Sequence, residues 1–178
     1  MRHAPGALTA ADSLRHVTAP CEIRPATRED APLLIELIGE LAEYERLRDE
    51  VVLDVALVER HMFGERPAAE AVIAEAGGET AGYALFFPTF STFLGRPGIW
   101  LEDLYVRPAL RGAGIGRALL AHLAQLAVTR DYGRLEWSAL DWNAPALGFY
   151  ERLGAQRMPE WHLHRLDGAA LRQVAATA

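Results

Sequence analysis

The stretch from Trp100 to Gly116, WLEDLYVRPALRGAGIG, is the most informative segment of this chain. An apolar strand over Ile99–Val106 leads into a glycine-rich turn, and the residues from Ala118 to Ala127 carry helical periodicity. Glycine lets the backbone approach a ligand closely, and the first turn of a helix presents unpaired N–H groups, so the turn predicts a cradle for a pyrophosphate. The cradle consists of Arg111, Gly112, Ala113, Gly114, Ile115 and Gly116.

The spacing of this turn separates it from two common phosphate loops. RxxGxG is neither the GxxxxGK[ST] of a nucleoside triphosphate loop nor the GxGxxG of a dinucleotide fold. Arg111 adds a fixed positive charge beside the N–H groups. The same residues are also compatible with an ordinary tight turn between a strand and a helix, so the remaining segments have to decide between the two interpretations.

Composition limits the class of protein. The 178 residues fit one domain, and 51% hydrophobic residues suffice for a substantial core, so we expect an N-terminal extension over 1–20 and a single domain over 21–178. A net charge of −6 without a basic stripe argues against nucleic acid and suits a cationic ligand. Cys21 is the only cysteine, and there is neither a membrane-length apolar run nor a signal-like one. We therefore expect a cytoplasmic protein that does not bind membranes.

The periodicity predicts an α/β fold. The predicted strands are Cys21–Ala26, Ala71–Ala76, Thr80–Phe87, Ile99–Val106, Arg134–Leu140 and Trp161–Leu166. The predicted helices run from the Thr27 cap to Tyr44, over Asp54–Met62, over Ile115–Ala127 and from Asn143 to Leu153. A hairpin followed by helix-connected strands implies a mixed sheet with helices packed on its faces.

Several segments of the chain match one family in order. They are IRPAT at Ile23–Thr27, LIxELAxYE within Leu34–Glu45, LED at Leu101–Asp103, RGAGIG, and LDWNxxAxxFYxxLGA at Leu140–Ala155. Over about residues 21–166 the chain resembles the GNAT acetyltransferases, within them the diamine (spermidine/spermine) and thialysine branch. The resemblance implies a mixed, mostly antiparallel sheet of six to seven strands with helices on both faces, acetyl-CoA as cosubstrate without a metal, a small-molecule amine substrate, and a homodimer.

Acetylation of an amine by a thioester requires that the amine lose its proton, that the oxyanion be stabilised and that the thiolate gain a proton. Neutralising a primary amine with a pKa near 10.4 at pH 7 costs about 4.6 kcal/mol.

Glu102 and Asp103 face opposite sides of a regular strand, so both reach one ligand only if the strand is bulged, as it is in the family. The resemblance implies that Glu102 contacts the substrate and accepts its proton, while Asp103 shapes the site. From the residues alone, a solvated strand end is equally compatible.

The resemblance also implies the residues that handle the coenzyme. The backbone of Leu104, Tyr105 and Val106 is expected to bind the pantetheine arm and to polarise the thioester carbonyl. Tyr150 is expected beside the coenzyme sulfur as general acid, since a pKa near 10 suits protonation of a thiolate. Asn143, an ordinary helix N-cap by itself, is expected to contact the coenzyme. Without the resemblance, Tyr150 could equally be one residue of a helix face.

The sequence signals for the residues that bind the amine acceptor are less specific. The resemblance implies that Tyr44 and Glu45 reach the substrate amine across a dimer interface, and that Glu136, Trp137 and Ser138 line the acceptor site. His162 and His164 have no evident third ligand, so no metal site is expected.

The loop before LED departs from the polyamine-specific members, which carry an aspartate and a tryptophan where this chain has Ser91 and Phe93. We therefore expect a small amine such as a lysine analogue or a diamine. The alternatives are a peptide or antibiotic amine, or a non-catalytic module that senses acyl-CoA.

Overall fold

A five-stranded mixed sheet organises the computed structural model, which describes residues 21–178. The strands are β1 (Cys21–Pro25), β2 (Glu70–Ala76), β3 (Glu79–Ser91), β4 (Arg96–Val106) and β5 (Leu135–Trp137), in that spatial order. Strands β1 to β4 pair antiparallel, and β4 pairs parallel with β5. The helices are α1 (Ala31–Glu45), α2 (Val55–Met62), α3 (Ile115–Thr129), α4 (Ala144–Arg152) and α5 (Gly168–Ala175). The extension predicted over residues 1–20 lies outside the described residues.

Helices cover both faces of the sheet, as predicted. The cluster under α1 and α2 consists of Ala31, Leu34, Leu37, Leu41, Val58, Ala71, Ile73, Tyr83 and Tyr105. Since successive strand residues point to opposite faces, Val72 and Ala74 of β2 are buried on the other side, where α3 packs across the sheet. The buried side chains of α3 are Ile115, Leu119, Leu120, Leu123 and Ala127.

Two local features set the positions of site residues. Helix α1 ends because Arg46 adopts a left-handed conformation, with φ of 63°, which leaves Tyr44 and Glu45 in its last turn. Gly77 and Gly78 both have positive φ and form the tight turn that joins β2 to β3. The hairpin thereby aligns β3 antiparallel to β2, and β3 pairs in turn with β4, the strand that carries LED.

The sheet is smaller than the sequence predicts. Among the described residues it has five strands rather than six to seven, and the predicted strand Trp161–Leu166 is irregular. Alternating apolar residues form a strand only where a neighbour supplies backbone partners, and no described strand pairs with this segment. Strand β5 likewise stops at Trp137, short of the predicted Leu140. Helix α5 was not predicted.

The contacts between residues divide the chain into two compact units, one that ends at Ser138 and one that covers Ala139–Ala178. The first unit holds the whole sheet with α1, α2 and α3. The second holds α4 and α5. The single domain expected over 21–178 therefore stays a prediction.

Candidate active site

Strand β4 contains the bulge that the LED segment requires. Leu85 pairs with Asp103, but the next residue of β3, Phe86, pairs with Leu101. Glu102 is therefore the extra residue of the bulge. A regular strand would place Glu102 and Asp103 on opposite faces of the sheet.

The bulge brings the two carboxylates to one face. Asp103 pairs with Leu85, and Trp100 pairs with Phe87, so Asp103 and Trp100 point to the same side. The indole Nε1 of Trp100 donates a hydrogen bond of 2.8 Å to Oε2 of Glu102. Glu102 is exposed, and its carboxylate lies beside Trp100 on the face covered by α1.

Asp103 is the more buried member of the pair. Tyr83, whose side chain is completely buried, donates a hydrogen bond of 2.8 Å from its hydroxyl to Oδ2 of Asp103. Burial raises the pKa of Asp103 to about 6, the hydrogen bond from Tyr83 opposes this rise, and the charges of Glu102 and Glu45 add to it. The Asp103 carboxyl group therefore titrates close to neutral pH.

A pocket of about 310 Å³ lies between the end of α1, the segment that follows it and Asp103. It is lined by Ile38, Leu41, Ala42, Glu45, Leu47, Glu50, Val51, Val52, Leu53 and Asp103. This lining combines apolar walls with three carboxylates and contains no basic side chain. Burial raises the pKa of Glu45 as well. The pocket is therefore suited to a small organic cation, whose charge would favour the ionised carboxylates.

The second half of β4 offers backbone donors at an open edge. Strand β5 pairs with β4 only from Ile99 to Leu101. Arg107 N–H donates to Ala81 O of β3, and N–H groups alternate in direction along an antiparallel strand. The N–H groups of Leu104 and Val106 therefore point away from β3, toward the edge beyond the end of β5. This is a suitable place for the amide-rich arm and the thioester of acetyl-CoA, as predicted for these residues.

The glycine turn lies at the end of this edge. Gly112 has a φ of 81° and Gly114 has a φ of 84°, a left-handed conformation that side chains disfavour. Gly114 caps α3, whose first helical hydrogen bond runs from Ala118 N to Gly114 O at 3.0 Å. The preceding N–H groups, including those of Ile115 and Gly116, have no acceptor within the helix and can bind a phosphate.

Arg111 links the turn to the acceptor side. Its Nε donates 2.9 Å to Val106 O, and its guanidinium carbon lies 4.5 Å from the ring centroid of Tyr44 and 5.8 Å from that of Tyr105. The predicted cationic residue of the cradle thus stacks on the predicted substrate-binding tyrosine. Sequence reasoning missed this contact because the two residues are far apart in the chain.

Arg107 is a second residue that sequence reasoning missed. It forms ion pairs with Glu36 and Glu40 of α1, the latter at 2.9 Å, and donates 3.2 Å to Thr80 O. These bonds tie α1 to the end of β4 and to the start of β3. The arginine thereby holds the helix that carries Tyr44 against the strand that carries the carboxylates.

Strand β5 separates the three acceptor residues predicted on it. Glu136 pairs with Trp100 and so shares its face of the sheet, where its carboxylate forms an ion pair of 2.6 Å with Arg134. Trp137 pairs with Leu101 and points to the opposite face. Ser138 follows the end of the strand.

The second unit contains the other two predicted coenzyme residues. Asn143 caps α4, and its side chain accepts a hydrogen bond of 3.3 Å from Ala146 N. Tyr150 lies near the end of α4, with its ring 5.3 Å from that of Phe149. Both are thus placed on the helix that the DWN segment predicts.

The described residues, 21–178, also bear on metal binding and on membrane insertion. No group of three or more His, Cys, Asp or Glu side chains in this range is arranged to hold a metal ion. No helix in the same range is long and apolar enough to cross a membrane.

Comparison with known proteins places this geometry in a family. The chain matches the acetyltransferase (GNAT) family over residues 34–155. It is 39% identical over 164 residues to a thialysine N-epsilon-acetyltransferase of Bos taurus, which covers 86% of this chain and 96% of the relative. It is 45% identical over 94 residues to an L-ornithine N5-acetyltransferase of Arabidopsis thaliana, covering 53% of this chain and 41% of the relative.

A solved structure supports the fold. An integron cassette protein from the mobile metagenome of V. cholerae superposes with a TM-score of 0.75 at 27% identity, covering 87% of this chain and 97% of that one. The resemblance predicted from the sequence, including the thialysine and diamine branch, is confirmed. The chain belongs to the GNAT family and is an acetyl-transferring enzyme.

Proposed function

We propose that the enzyme moves the acetyl group of acetyl-CoA to a primary amine of a small molecule, of the lysine-analogue, diamine or polyamine type. The observation that carries this proposal is the acidic pocket beside the bulge, where Glu45, Glu50 and Asp103 line apolar walls. An ammonium group is attracted by the carboxylates, while the apolar walls favour its neutral, nucleophilic form. Both effects are needed, because only the unprotonated amine attacks a thioester.

The names of the relatives narrow the range of amines that we propose as acceptors. Thialysine and ornithine are both amino acids that carry a primary amine at the end of a short side chain. A pocket of about 310 Å³ suits a molecule of this size. Ser91 is buried at the end of β3, and Phe93 is almost fully exposed in the turn between β3 and β4. At these two positions the polyamine-specific members carry an aspartate and a tryptophan. These features favour a small amine over a long polycation.

The reaction is a direct attack within a ternary complex. Glu102 accepts the proton of the amine, directly or through water, while Asp103 holds the ammonium form and shapes the site. The amine nitrogen then forms a bond to the thioester carbonyl carbon, and the developing oxyanion is stabilised by a backbone N–H of the Leu104–Val106 segment. The carbon–sulfur bond breaks, the departing thiolate takes a proton from Tyr150, and the nitrogen of the new amide loses its second proton, which restores the Tyr150 hydroxyl by way of solvent.

The binding of acetyl-CoA is assigned to backbone groups. The turn from Arg111 to Gly116 takes the pyrophosphate, the open edge of β4 takes the pantetheine arm, and Asn143 adds a contact from the start of α4. On the acceptor side, the proposal includes the contacts that the family resemblance implies. The substrate amine is reached across a dimer interface by Tyr44 and Glu45, and the acceptor site is lined by Glu136, Trp137 and Ser138. A homodimer and a cytoplasmic location complete the proposal.

A panel of amines tests the function. Purified protein with acetyl-CoA is offered thialysine, ornithine, spermidine, a peptide N-terminus and an aminoglycoside, and released thiol is measured. We expect the highest kcat/KM with thialysine or ornithine, and a loss of about 10²-fold or more for Glu102→Gln with that amine. Preference for the peptide or the antibiotic would assign another substrate. Binding of acetyl-CoA without thiol release from any amine would assign a non-catalytic sensor.

A further inference from the structure

We propose that Tyr83 is a positioning residue for the amine acceptor, because its buried hydroxyl fixes one oxygen of Asp103 and leaves the other to receive the ammonium group. The hydroxyl donates 2.8 Å to Oδ2 of Asp103, which leaves Oδ1 for the acceptor. This inference rests on the proposed function of the pocket. It adds Tyr83, a residue of β3, to the site residues predicted from the LED segment of β4.

Tyr83 has no need of its hydroxyl for packing. Its side chain is fully buried in the cluster beneath α1, and its ring lies 6.4 Å from that of Tyr105. Phenylalanine would fill the same space, and it would avoid the cost of burying a polar group. The hydroxyl therefore makes a difference at Asp103, which it contacts, rather than in the core.

The pair is also poorly explained as a stabilising device. Burying a carboxylate costs more than a single hydrogen bond from a neutral hydroxyl returns. A well-packed apolar residue at each of the two positions would stabilise the core at least as well. A buried carboxyl group at the edge of an acidic pocket is instead typical of a functional site.

The charged groups that face Asp103 make a neutral donor useful. Glu102 adjoins it on β4, Glu45 faces it from α1, and Glu50 lines the same pocket from the segment after α1. All three are acidic, and the charges of Glu102 and Glu45 disfavour the ionised form of Asp103. Tyr83 opposes them with a hydrogen bond. Burial and the Asp103 charge raise the pKa of Tyr83 well above its usual range, which keeps the hydroxyl protonated as a donor.

The test is the variant Tyr83→Phe, measured as kcat/KM for the preferred amine against pH. Loss of the hydrogen bond should move the acid limb of the profile to higher pH by about one pH unit. Near pH 6.5 this corresponds to a loss of about threefold, and the two profiles should meet at about pH 9. The effect should lie in KM for the amine, with KM for acetyl-CoA unchanged. An equal loss at every pH would indicate a merely structural role and overturn the proposal.

Two further variants separate position from stability. Tyr132→Phe removes a hydroxyl outside the pocket and should leave the profile unchanged. In the Asp103→Asn background, Tyr83→Phe should have no further pH-dependent effect, because Tyr83 acts through Asp103. If Tyr83→Phe shifts the profile equally in both backgrounds, the proposal is wrong.

A measurement without substrate keeps this inference distinct from the proposed function. The carboxyl carbon of Asp103 is titrated by NMR in ¹³C-aspartate-labelled protein, with Asp103→Asn as the assignment control. We expect Tyr83→Phe to raise the Asp103 midpoint by about one pH unit. If no amine is acetylated but the midpoint shifts, the proposed function fails while the contact between the two side chains stands. If the midpoint does not move, Tyr83 does not control Asp103.

Discussion

Asp103→Asn should stabilise the fold while it weakens the binding of the amine substrate. The variant keeps the size of the side chain and an oxygen that can accept the hydrogen bond from Tyr83. It removes a carboxyl group whose pKa rises from the ordinary value of 3.8 to about 6, chiefly because it is buried. Such a group makes folding less favourable once it is ionised.

The sign and size of the effect follow from this shift. Below the unfolded pKa of 3.8, Asp103 is protonated in both states and costs nothing. Between pH 3.8 and about 6 the unfolded chain releases this proton while the folded chain retains it, so the free energy of unfolding falls by about 1.4 kcal/mol for each pH unit. The full penalty above about pH 6 is about 3 kcal/mol. Asp103→Asn should therefore be more stable than wild type by up to about 3 kcal/mol at pH 8 relative to the difference at pH 4.

The assay is urea unfolding followed by circular dichroism at several pH values between about 4 and 8. Asp49→Asn, which removes an exposed carboxylate, is the control and should change stability by no more than about 0.5 kcal/mol at each pH. The same Asp103 variant should raise KM for the amine. A stability difference that stays flat with pH, or that becomes destabilising toward pH 8, would refute the assignment of Asp103 as an acid whose pKa is raised by burial.

Three further predictions concern other parts of the molecule. Tyr150→Phe should lower kcat by about 10²-fold with little change in either KM, and full turnover across pH would exclude Tyr150 as the general acid. Gly112→Val, at a φ of 81°, should raise KM for acetyl-CoA but not for the amine, whereas an unchanged KM would place the pyrophosphate elsewhere. Arg24 lowers the pKa of Asp30 from 3.8 to about 2, which stabilises the fold above pH 3.8 and is lost as the pH falls toward 2. Asp30→Asn should accordingly cost about 1 kcal/mol at pH 7 after solvent screening and almost nothing near pH 2, so an equal cost in thermal melts at both would contradict the pairing.

Local patterns in the sequence predicted most of the helices and strands. The α1 stripe, the Gly77–Gly78 hairpin and the glycine turn before α3 each depend on residues close in the chain, so periodicity and turn chemistry suffice to find them. The segment Trp161–Leu166 begins with alternating apolar and polar residues, but no described strand pairs with it. Strand formation depends on a neighbour that local pattern does not reveal.

The site was less accessible to sequence reasoning. The bulge at Glu102 is a property of the pairing between β3 and β4, and only the family resemblance indicated it. From the sequence pattern alone, Tyr83 is one more core residue of a buried strand, because the partner of its hydroxyl lies twenty residues away in the chain. Arg107 and Arg111 contact α1 across greater separations in the chain. Contacts of this kind depend on tertiary structure, and the spacing of residues carries no signal for them.

The transfer reaction itself is the most direct test of the central claim. Enzyme, acetyl-CoA and either thialysine or ornithine are incubated, and both the free thiol and the N-acetylated amine are quantified by mass spectrometry. We expect one thiol for each acetylated amine, with acetylation at the side-chain nitrogen and loss of product formation in Glu102→Gln. Binding of acetyl-CoA without any acetylated product, or equal turnover by Glu102→Gln, would contradict it.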